Sequence, residues 1–392
     1  MRSLAFLLVL AASGGACQQE VVSTCRGCTH EPPPVVPNII WSQPGYSGVR
    51  PVVDDRALYV LGEHIVYAFD KTTGAPLWTT PLLDGTSFLQ GYGTALAAGL
   101  LIIGDIDVFG IDPATGTIRW TFSPRLQYPN ERSFERLTTD GTTVYIGGVW
   151  GNVYAVDAAT GAEKWVSHVT TLPDSVVRVF NPVVDRGAVY VAFADQPRGT
   201  LRDNGGAAAI DAATGRLLWS QLFPSRFSEI TESTDITVTP TRAVAGSLDG
   251  YLYGLDRQTG AIIDTISQTV FGFAAGSPQA TTFHFATTGD TVLLAATDNG
   301  YVTAFDARNL THELWQVYIY GSPFDLIVDS NKIYVPYGGT LLGEISPATR
   351  KLLWDFGPKF SPDAEDFNAA PALDSGHIYL ASDRHVYCLT RP

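Results

Sequence analysis

Short apolar runs alternate with polar, glycine-containing turns along most of this chain. Val66–Phe69 and Val153–Val156 are two such runs, and each is followed directly by an Asp-x-x-Thr-Gly segment. Runs this short, rich in aromatic and β-branched residues and bounded by turn residues, are typical of β-strands. The pattern therefore predicts an all-β protein built from many short strands.

The Asp-x-x-Thr-Gly segment recurs at a spacing that indicates repeated blades. Its aspartates are separated by 42, 45, 54 and 45 residues, and a tryptophan follows eight residues later in four of the five copies. Such spacing is characteristic of β-propellers. We expect each aspartate to bond the amides of its turn and each tryptophan to pack between neighbouring blades. The aspartates are Asp70, Asp112, Asp157, Asp211 and Asp256, and the tryptophans are Trp78, Trp120, Trp165 and Trp219.

Degenerate copies complete the count of blades. Copies begin at Asp306 and Ser346, and a last strand pair spans residues 377–380 and 385–389 without an outermost strand. Residues 38–41, which include Trp41, have the form of an outermost strand without its own blade. The sequence therefore predicts an eight-bladed β-propeller of four-stranded antiparallel blades, closed by pairing of the N-terminal strand into the last blade.

The full repeat, Tyr-Ala-x-Asp-x-x-Thr-Gly-x-x-x-Trp, resembles that of the pyrroloquinoline-quinone (PQQ)-like β-propellers. The resemblance covers nearly all of residues 38–392. This family includes quinoprotein alcohol dehydrogenases and non-enzymatic BamB-like envelope lipoproteins. The resemblance implies the fold, but the repeat carries no activity by itself.

The first 16 residues are predicted to be a secretory signal peptide. Arg2 is followed by the apolar run Leu4–Ala12 and then by small residues. Cys17 follows Gly-Ala and resembles the lipidated cysteine of bacterial lipoproteins, although Gly14 stands where Leu is usual. The alternative is secretion after Ala16 without lipidation.

Residues 17–37 are predicted to be a proline-containing tether to the domain at 38–392. Cys25 and Cys28 lie within it, and an oxidising compartment favours a disulfide between them. Gln18 after Cys17 is not the aspartate that retains lipoproteins at the inner membrane. The resemblance thus implies an outer-membrane lipoprotein facing the periplasm or the cell surface.

The composition argues against several classes of function. The formal net charge of −14 excludes non-specific attraction to nucleic acid. The adjacent cysteine pair that resemblance to quinoprotein dehydrogenases would require is absent, as are the G-x-S-x-G, H-E-x-x-H and P-loop motifs. We therefore expect no enzyme, no PQQ and no metal site; a PQQ-dependent dehydrogenase is the alternative.

Alignment of the repeats brings polar residues to equivalent positions just before the innermost strands. In a propeller these positions surround the central channel, where they can bind a small anion, a metal or a peptide end. A hydrated channel with mutually satisfied charges is the alternative. The candidate channel ring comprises Arg50, Tyr92, Arg136, Asn181, Asp235, His284 and Asp325, with Ala370 in the eighth blade.

Other candidate contacts lie on the predicted rim. Trp150, between Gly148 and Gly151 at a predicted hairpin tip, is a candidate partner contact, unless it covers a neighbouring turn. Residues 124–136, 195–206 and 223–235 are predicted long polar loops. Since insertions on a rigid ring usually bind partners, the sequence predicts a non-catalytic scaffold that binds envelope proteins through its rim loops.

Overall fold

The structure is a computed structural model of the 392-residue chain. The predicted signal peptide and Cys17, Cys25 and Cys28 lie outside the residues that it describes. Within those residues the regular secondary structure is mainly β-strand, with a short 3-10 turn at Gln268–Phe271, and no helix is long and apolar enough to cross a membrane. The described residues are 36–45, 49–62, 64–82, 93–104, 107–124, 136–170, 175–197, 203–224, 230–231, 233–272, 282–357 and 365–392.

The strands form eight sheets, and in the first seven the main strands pair in chain order. The first strand of the chain is β1 (Ile39–Pro44). Blades 1 and 2 consist of β2 (Val52–Val53), β3 (Ala57–Leu61), β4 (Ile65–Asp70), β5 (Pro76–Pro81), β6 (Thr94–Ala97), β7 (Leu100–Gly104), β8 (Val108–Ile111) and β9 (Ile118–Phe122). Blades 3 and 4 consist of β10 (Leu137–Thr139), β11 (Thr143–Gly147), β12 (Asn152–Asp157), β13 (Glu163–His168), β14 (Ser175–Asp185), β15 (Ala188–Pro197), β16 (Asp203–Asp211), β17 (Leu217–Leu222) and the short extra strand β18 (Ile230–Thr231).

The remaining four blades repeat the same antiparallel arrangement. Blades 5 and 6 consist of β19 (Ser233–Val238), β20 (Arg242–Ser247), β21 (Leu252–Asp256), β22 (Ile262–Ile266), β23 (Phe283–Thr288), β24 (Val292–Thr297), β25 (Tyr301–Asp306) and β26 (Asn309–Tyr318). Blades 7 and 8 consist of β27 (Ile327–Asp329), β28 (Lys332–Tyr337), β29 (Leu341–Ser346), β30 (Lys351–Phe356), β31 (Ala372–Leu373), β32 (His377–Ala381) and β33 (His385–Thr390), with β1 as the outermost strand of blade 8. The apolar core lies in the layers between adjacent blades.

The N-terminal strand closes the ring. β1 pairs antiparallel with β33, so that Trp41 lies opposite Cys388 and Pro44 lies opposite His385. Thr390 reinforces the pair, since its hydroxyl accepts a hydrogen bond from the Asn38 amide at 2.8 Å. The predicted fold, including the eight four-stranded blades and this closure, is confirmed.

The repeated aspartates order the turns that follow them. In blade 1, Oδ1 of Asp70 accepts hydrogen bonds from the Thr73 amide at 2.8 Å and from the Thr73 hydroxyl at 2.9 Å. Gly74 then adopts a φ of +73°, which a glycine reaches without steric cost. These hydrogen bonds, that of the Thr73 amide above all, lower the pKa of Asp70. As predicted, the aspartate is a structural turn residue.

Each repeat tryptophan joins its blade to the next one. The Trp120 ring of blade 2 lies against Gly161 of blade 3, where an added Cβ would be 2.7 Å from ring atom Cδ2. Trp120 Nε1 also donates a hydrogen bond to the Ala158 carbonyl in that turn, at 3.1 Å. Five blade interfaces repeat this contact through the pairs Trp41–Gly74, Trp78–Gly116, Trp120–Gly161, Trp165–Gly215 and Trp219–Gly260.

The interface between blades 5 and 6 lacks this pair and replaces both members. Asp264 of blade 5 stands at the tryptophan position and accepts a hydrogen bond from Arg242 Nε at 2.8 Å. Leu310 of blade 6 stands at the glycine position and is fully buried. Its Cδ1 atom would be 2.8 Å from a Cβ added to Gly254, beside Asp264. The leucine of one blade thus occupies space that the missing tryptophan of the other would fill.

Gly161→Ala tests the tryptophan contact, and Gly99→Ala is its matched control. Gly99 has a φ of +74°, close to the +73° of Gly161, but an added Cβ there meets no atom within 4 Å. Gly99→Ala should therefore cost only the left-handed conformation, about 1–2 kcal/mol. Gly161→Ala should cost about 1–3 kcal/mol more, since the methyl group overlaps Trp120. Urea unfolding measures both; equal losses would contradict the proposed role of the contact.

Candidate functional site at the channel mouth

The strand register identifies the residues that occupy equivalent places around the ring. In blade 1, cross-strand pairing leads from Trp78 through Ala68 and Tyr59 to Val52, and the ring residue Arg50 lies two positions before Val52. The same path in blades 3 to 8 leads to Arg136, Asn181, Asp235, His284, Asp325 and Ala370. We call the end of the ring formed by these residues the channel mouth.

Blade 2 departs from the predicted ring by one residue. There the path leads from Trp120 to Ala95, and so to Gly93 rather than to the predicted Tyr92, which lies outside the described residues. A Cβ at Gly93 would be 2.4 Å from the Leu137 backbone nitrogen of blade 3. Close approach of the next blade therefore leaves no room for a side chain at this position.

Two arginines meet on one carboxylate at the channel mouth. Arg50 Nη2 of blade 1 lies 3.1 Å from Asp325 Oδ2 of blade 7, and Arg136 Nη2 of blade 3 lies 3.4 Å from the same oxygen. Blades 3 and 7 are opposite members of the eight-bladed ring, so the second ion pair spans the axis. The structure thus brings together three residues that are far apart in the sequence.

Asp325 is the buried centre of this cluster. Its carboxylate also accepts hydrogen bonds from the amides of Leu326 at 2.8 Å and Ala370 at 3.2 Å. Burial alone would raise the pKa of Asp325, but the positive charges of Arg136 and Arg50 lower it well below its ordinary value. Asp325 is therefore ionised at neutral pH.

The second ring carboxylate, Asp235, has a different environment. It is buried, and Oδ1 accepts hydrogen bonds from Asn181 Nδ2 at 3.2 Å and from the Ile236 amide at 2.9 Å. Asn181 adopts a φ of +41° at a register shift of β14. Burial raises the pKa of Asp235 to about 6, and Asp325 adds to the rise while Arg136 opposes it.

His284 and the residues of blades 4 and 5 show a further difference from the sequence prediction. β14, β19 and β23 begin before the ring position, so Asn181, Asp235 and His284 lie within strands rather than just ahead of them. Burial lowers the pKa of His284. This imidazole is therefore neutral at pH 7.

Trp150 lies at the same end of the ring, in the turn between β11 and β12. The turn is fixed to blade 4, because the Gly151 amide donates to the Val177 carbonyl at 2.7 Å. Trp150 is half-buried, and its Nε1 atom is buried without a hydrogen-bond partner among the described residues. The predicted tip position is observed, whereas a partner contact stays a prediction.

The predicted rim loops are partly described. In blade 4, residues 195–197 and 203–206 of the predicted loop are strand, since Asp195 of β15 pairs with Asn204 of β16, and residues 198–202 lie outside the described residues. β18 extends this sheet by parallel pairing with Asp203 and Asn204. Residues 125–135 and 225–229 of the other two predicted loops lie outside the described residues.

One repeated pattern was missed by the sequence analysis. An aspartate precedes a tyrosine by five residues in blades 1, 3 and 8, and the tyrosine hydroxyl donates to the aspartate at 2.8–2.9 Å. In blades 4 and 7 the corresponding aspartate and tyrosine both bind one arginine of the next blade. The pairs are Asp54–Tyr59, Asp140–Tyr145, Asp185–Tyr190, Asp329–Tyr334 and Asp374–Tyr379. Their constant spacing is a signal that the sequence already contains.

Comparison with known proteins assigns the chain to a family. A profile of the family described as outer membrane protein assembly factor BamB matches residues 37–194 and 104–336, which together span 300 of the 392 residues. The chain belongs to this family. Membership agrees with the resemblance inferred from the repeat.

Individual relatives match along most of the ring. BamB of Yersinia pestis is 24% identical over 370 residues, which are 88% of this chain and 85% of that protein. The crystal structure of BamB from Moraxella catarrhalis has a TM-score of 0.63 at 16% identity and covers 91% of this chain and 100% of its own. Quinohemoprotein alcohol dehydrogenase from Comamonas testosteroni has a TM-score of 0.66 at 16% identity, covering 90% and 76% respectively. At such identities the two structures show a shared fold.

Asp235→Asn should make the protein more stable at neutral pH. The folded pKa of about 6 lies above the ordinary value of about 3.9, so the folded state binds more protons between these pH values. The contribution of Asp235 to the free energy of unfolding therefore falls as pH rises from about 4 to about 6. The variant should gain about 2–3 kcal/mol at pH 8, and the gain should vanish below about pH 4. Urea unfolding across this pH range measures the difference.

Asp256→Asn is the matched control, since the pKa of Asp256 is lowered. The largest cause is the hydrogen bond that the Thr259 amide donates to its carboxylate. Asp256→Asn should reduce the free energy of unfolding at neutral pH, because the ionised Asp256 stabilises the fold. This loss should disappear in acid, where Asp256 is protonated. A loss of stability in Asp235→Asn at pH 8 would show that the ring requires the ionised Asp235.

Proposed function

We propose that this chain is a non-catalytic, protein-binding propeller that acts in outer membrane protein assembly at the bacterial envelope. The supporting observation is similarity to BamB over about nine-tenths of the chain. The Moraxella catarrhalis BamB structure is covered over its whole length, whereas about a quarter of the Comamonas testosteroni dehydrogenase has no counterpart in this chain. The shared unit is the propeller itself, and a rigid ring offers its exposed turns to partners.

The chemistry of the channel mouth supports binding rather than PQQ-dependent oxidation. Arg136 and Asp325 form an ion pair across the axis, with Arg50 on the same oxygen. A flat cofactor placed at this level would separate these charges and leave Asp325 buried without its arginines. The residues present at this level therefore do not fit PQQ, and we propose that the protein functions without it.

The surface around Trp150 is the proposed contact for a partner protein. The turn that carries Trp150 bonds to β14, and the adjoining strands β14 and β15 are 11 and 10 residues long. This makes blades 3 and 4 one continuous, rigid surface at the channel mouth. Because Trp150 is only half-buried, the exposed part of its ring offers an apolar contact to a partner.

The proposed location depends on the N-terminal segment. Lipidation of Cys17 would hold the ring at a membrane, and Gln18 after it favours the outer membrane by resemblance to bacterial lipoproteins. A disulfide between Cys25 and Cys28 would close a small loop within the tether in the oxidising periplasm. Partners are therefore proposed among envelope proteins.

A photo-crosslinking residue placed at Trp150 tests the proposed function. In intact cells it should form an adduct with a protein of the outer membrane assembly machinery. The same residue at Thr72, which is exposed in an aspartate turn at the opposite end of the ring, should not. Adducts identified by mass spectrometry provide the readout. Equal adducts at both positions, or dye-linked alcohol oxidation when PQQ and Ca²⁺ are added, would overturn the proposal.

Cys17→Ala tests the anchor. The variant should leave the membrane fraction and should not incorporate labelled palmitate, because the acyl chains would have no attachment site. Cys25→Ala is the matched control and should stay in the membrane fraction. Cell fractionation with immunoblotting measures both, and an unchanged distribution of Cys17→Ala would contradict lipidation.

A further inference from the structure

Tyr320 holds an aromatic side chain in a conformation that suits glycine. The residue has a φ of +55°, which is strained for a bulky side chain. Tyr320 is nevertheless 86% exposed, so burial of its ring does not offset the cost. A strained residue whose side chain contributes so little to the core is a candidate for a functional role at the surface.

The neighbouring backbone imposes this conformation, but it does not require a tyrosine. On one side, the Ile319 amide donates a hydrogen bond to the Gly300 carbonyl at 2.9 Å. On the other side, a Cβ added to Gly321 would lie 3.0 Å from the Gly338 nitrogen of blade 7. Tyr320 lies between these two contacts, where the chain crosses from blade 6 to blade 7, and glycine would adopt the same φ there without steric cost. The crossing therefore explains the conformation of Tyr320 but does not account for its ring.

Three tyrosine rings, which we call the tyrosine row, lie in contact at this place. The ring centroids of Tyr301 and Tyr318 are 5.1 Å apart, and those of Tyr318 and Tyr320 are 4.8 Å apart with the rings inclined at 65°. Tyr301 and Tyr318 pair across β25 and β26, the two outer strands of blade 6. Trp150 occupies the equivalent hairpin of blade 3, so it lies at the same end of the ring. The tyrosine row is thus an aromatic surface at the outer rim of the channel-mouth end.

The segments around the tyrosine row carry no charged side chain. Residues 268–272, 299–301 and 314–324 contain neither acidic nor basic residues. Asp298 comes just before the second segment, but its carboxylate accepts hydrogen bonds from the amide and the hydroxyl of Thr282. A ligand of the row is therefore selected by contact with aromatic rings rather than by charge.

We infer that the tyrosine row binds an uncharged, proline-containing segment of a partner protein in the extended polyproline II conformation. This inference rests on the proposed protein-binding function and gives it a second contact. Surfaces lined by aromatic rings are where proline-rich segments dock. β26 ends at Tyr318, so Tyr320 offers no strand edge to a partner, and recognition there falls to the rings. A polyproline II segment suits this arrangement, because its backbone forms no hydrogen-bonded ladder.

Titration of the full-length chain with a neutral proline peptide tests the inference. Acetyl-hexaprolyl-amide should shift the ring signals of Tyr318 and Tyr320 in NMR spectra of the chain labelled with carbon-13 tyrosine. A blocked glycine-serine peptide of the same length should not. Tyr320→Gly should weaken binding of the proline peptide at least about fivefold, because it removes the most exposed ring. Ile263→Ala is the matched control and should leave the affinity unchanged, since Ile263 is also exposed but follows an aspartate turn at the opposite end.

The urea midpoint separates a binding role of Tyr320 from a structural one. Because glycine adopts a φ of +55° without steric cost, Tyr320→Gly should unfold at a urea concentration no lower than the unsubstituted chain does. A lower midpoint, equal binding of the two peptides, or equal weakening by Ile263→Ala would overturn the inference. Chitotetraose that binds more tightly than the proline peptide would assign the row to a glycan and also overturn it. The Trp150 crosslink would persist in each of these cases if the proposed function alone is correct.

Discussion

A tryptophan that leaves one blade and lies on a glycine of the next is the contact on which the ring depends. It combines a large apolar surface with a directed hydrogen bond from Nε1 to a backbone carbonyl, as Trp120 shows at Ala158. The aspartate turn that reverses the chain also provides the bare glycine that receives the ring. Local folding of one blade therefore prepares the surface that the preceding blade needs.

The contact between neighbouring blades explains why the tryptophan and the turn glycine are replaced together between blades 5 and 6. Losing the tryptophan at Asp264 would open a cavity, and the leucine at position 310 fills the space only because the glycine of that turn is also replaced. Neither change is understandable within its own blade. The same coupling closes the ring, since Trp41 of the last blade rests on Gly74 of the first.

Most of the fold could be predicted from the sequence, because strand pattern, turn aspartates and tryptophans are local and repeated. The candidate channel ring was predicted from the constant distance between each ring residue and the next strand. The strand register leads to the same residues in every blade except blade 2. Blade 2 was misplaced by one residue at Tyr92, because the ring position there is Gly93, which has no polar side chain to mark it. The meeting of Arg50 and Arg136 on Asp325 could not be predicted, since it depends on the diameter of the closed channel and on the reach of side chains from three blades.

The direction of β1 has a mechanical consequence. This strand begins at Ile39, at the end of the ring that carries the aspartate turns, and reaches the channel mouth at Pro44. A force that pulls on the residues before Ile39, in the direction from the channel mouth to the aspartate turns, would therefore act along the strand. All the backbone bonds between β1 and β33 would then share the load in shear rather than break one after another. The strand that completes the eighth blade is thus also oriented to carry tension.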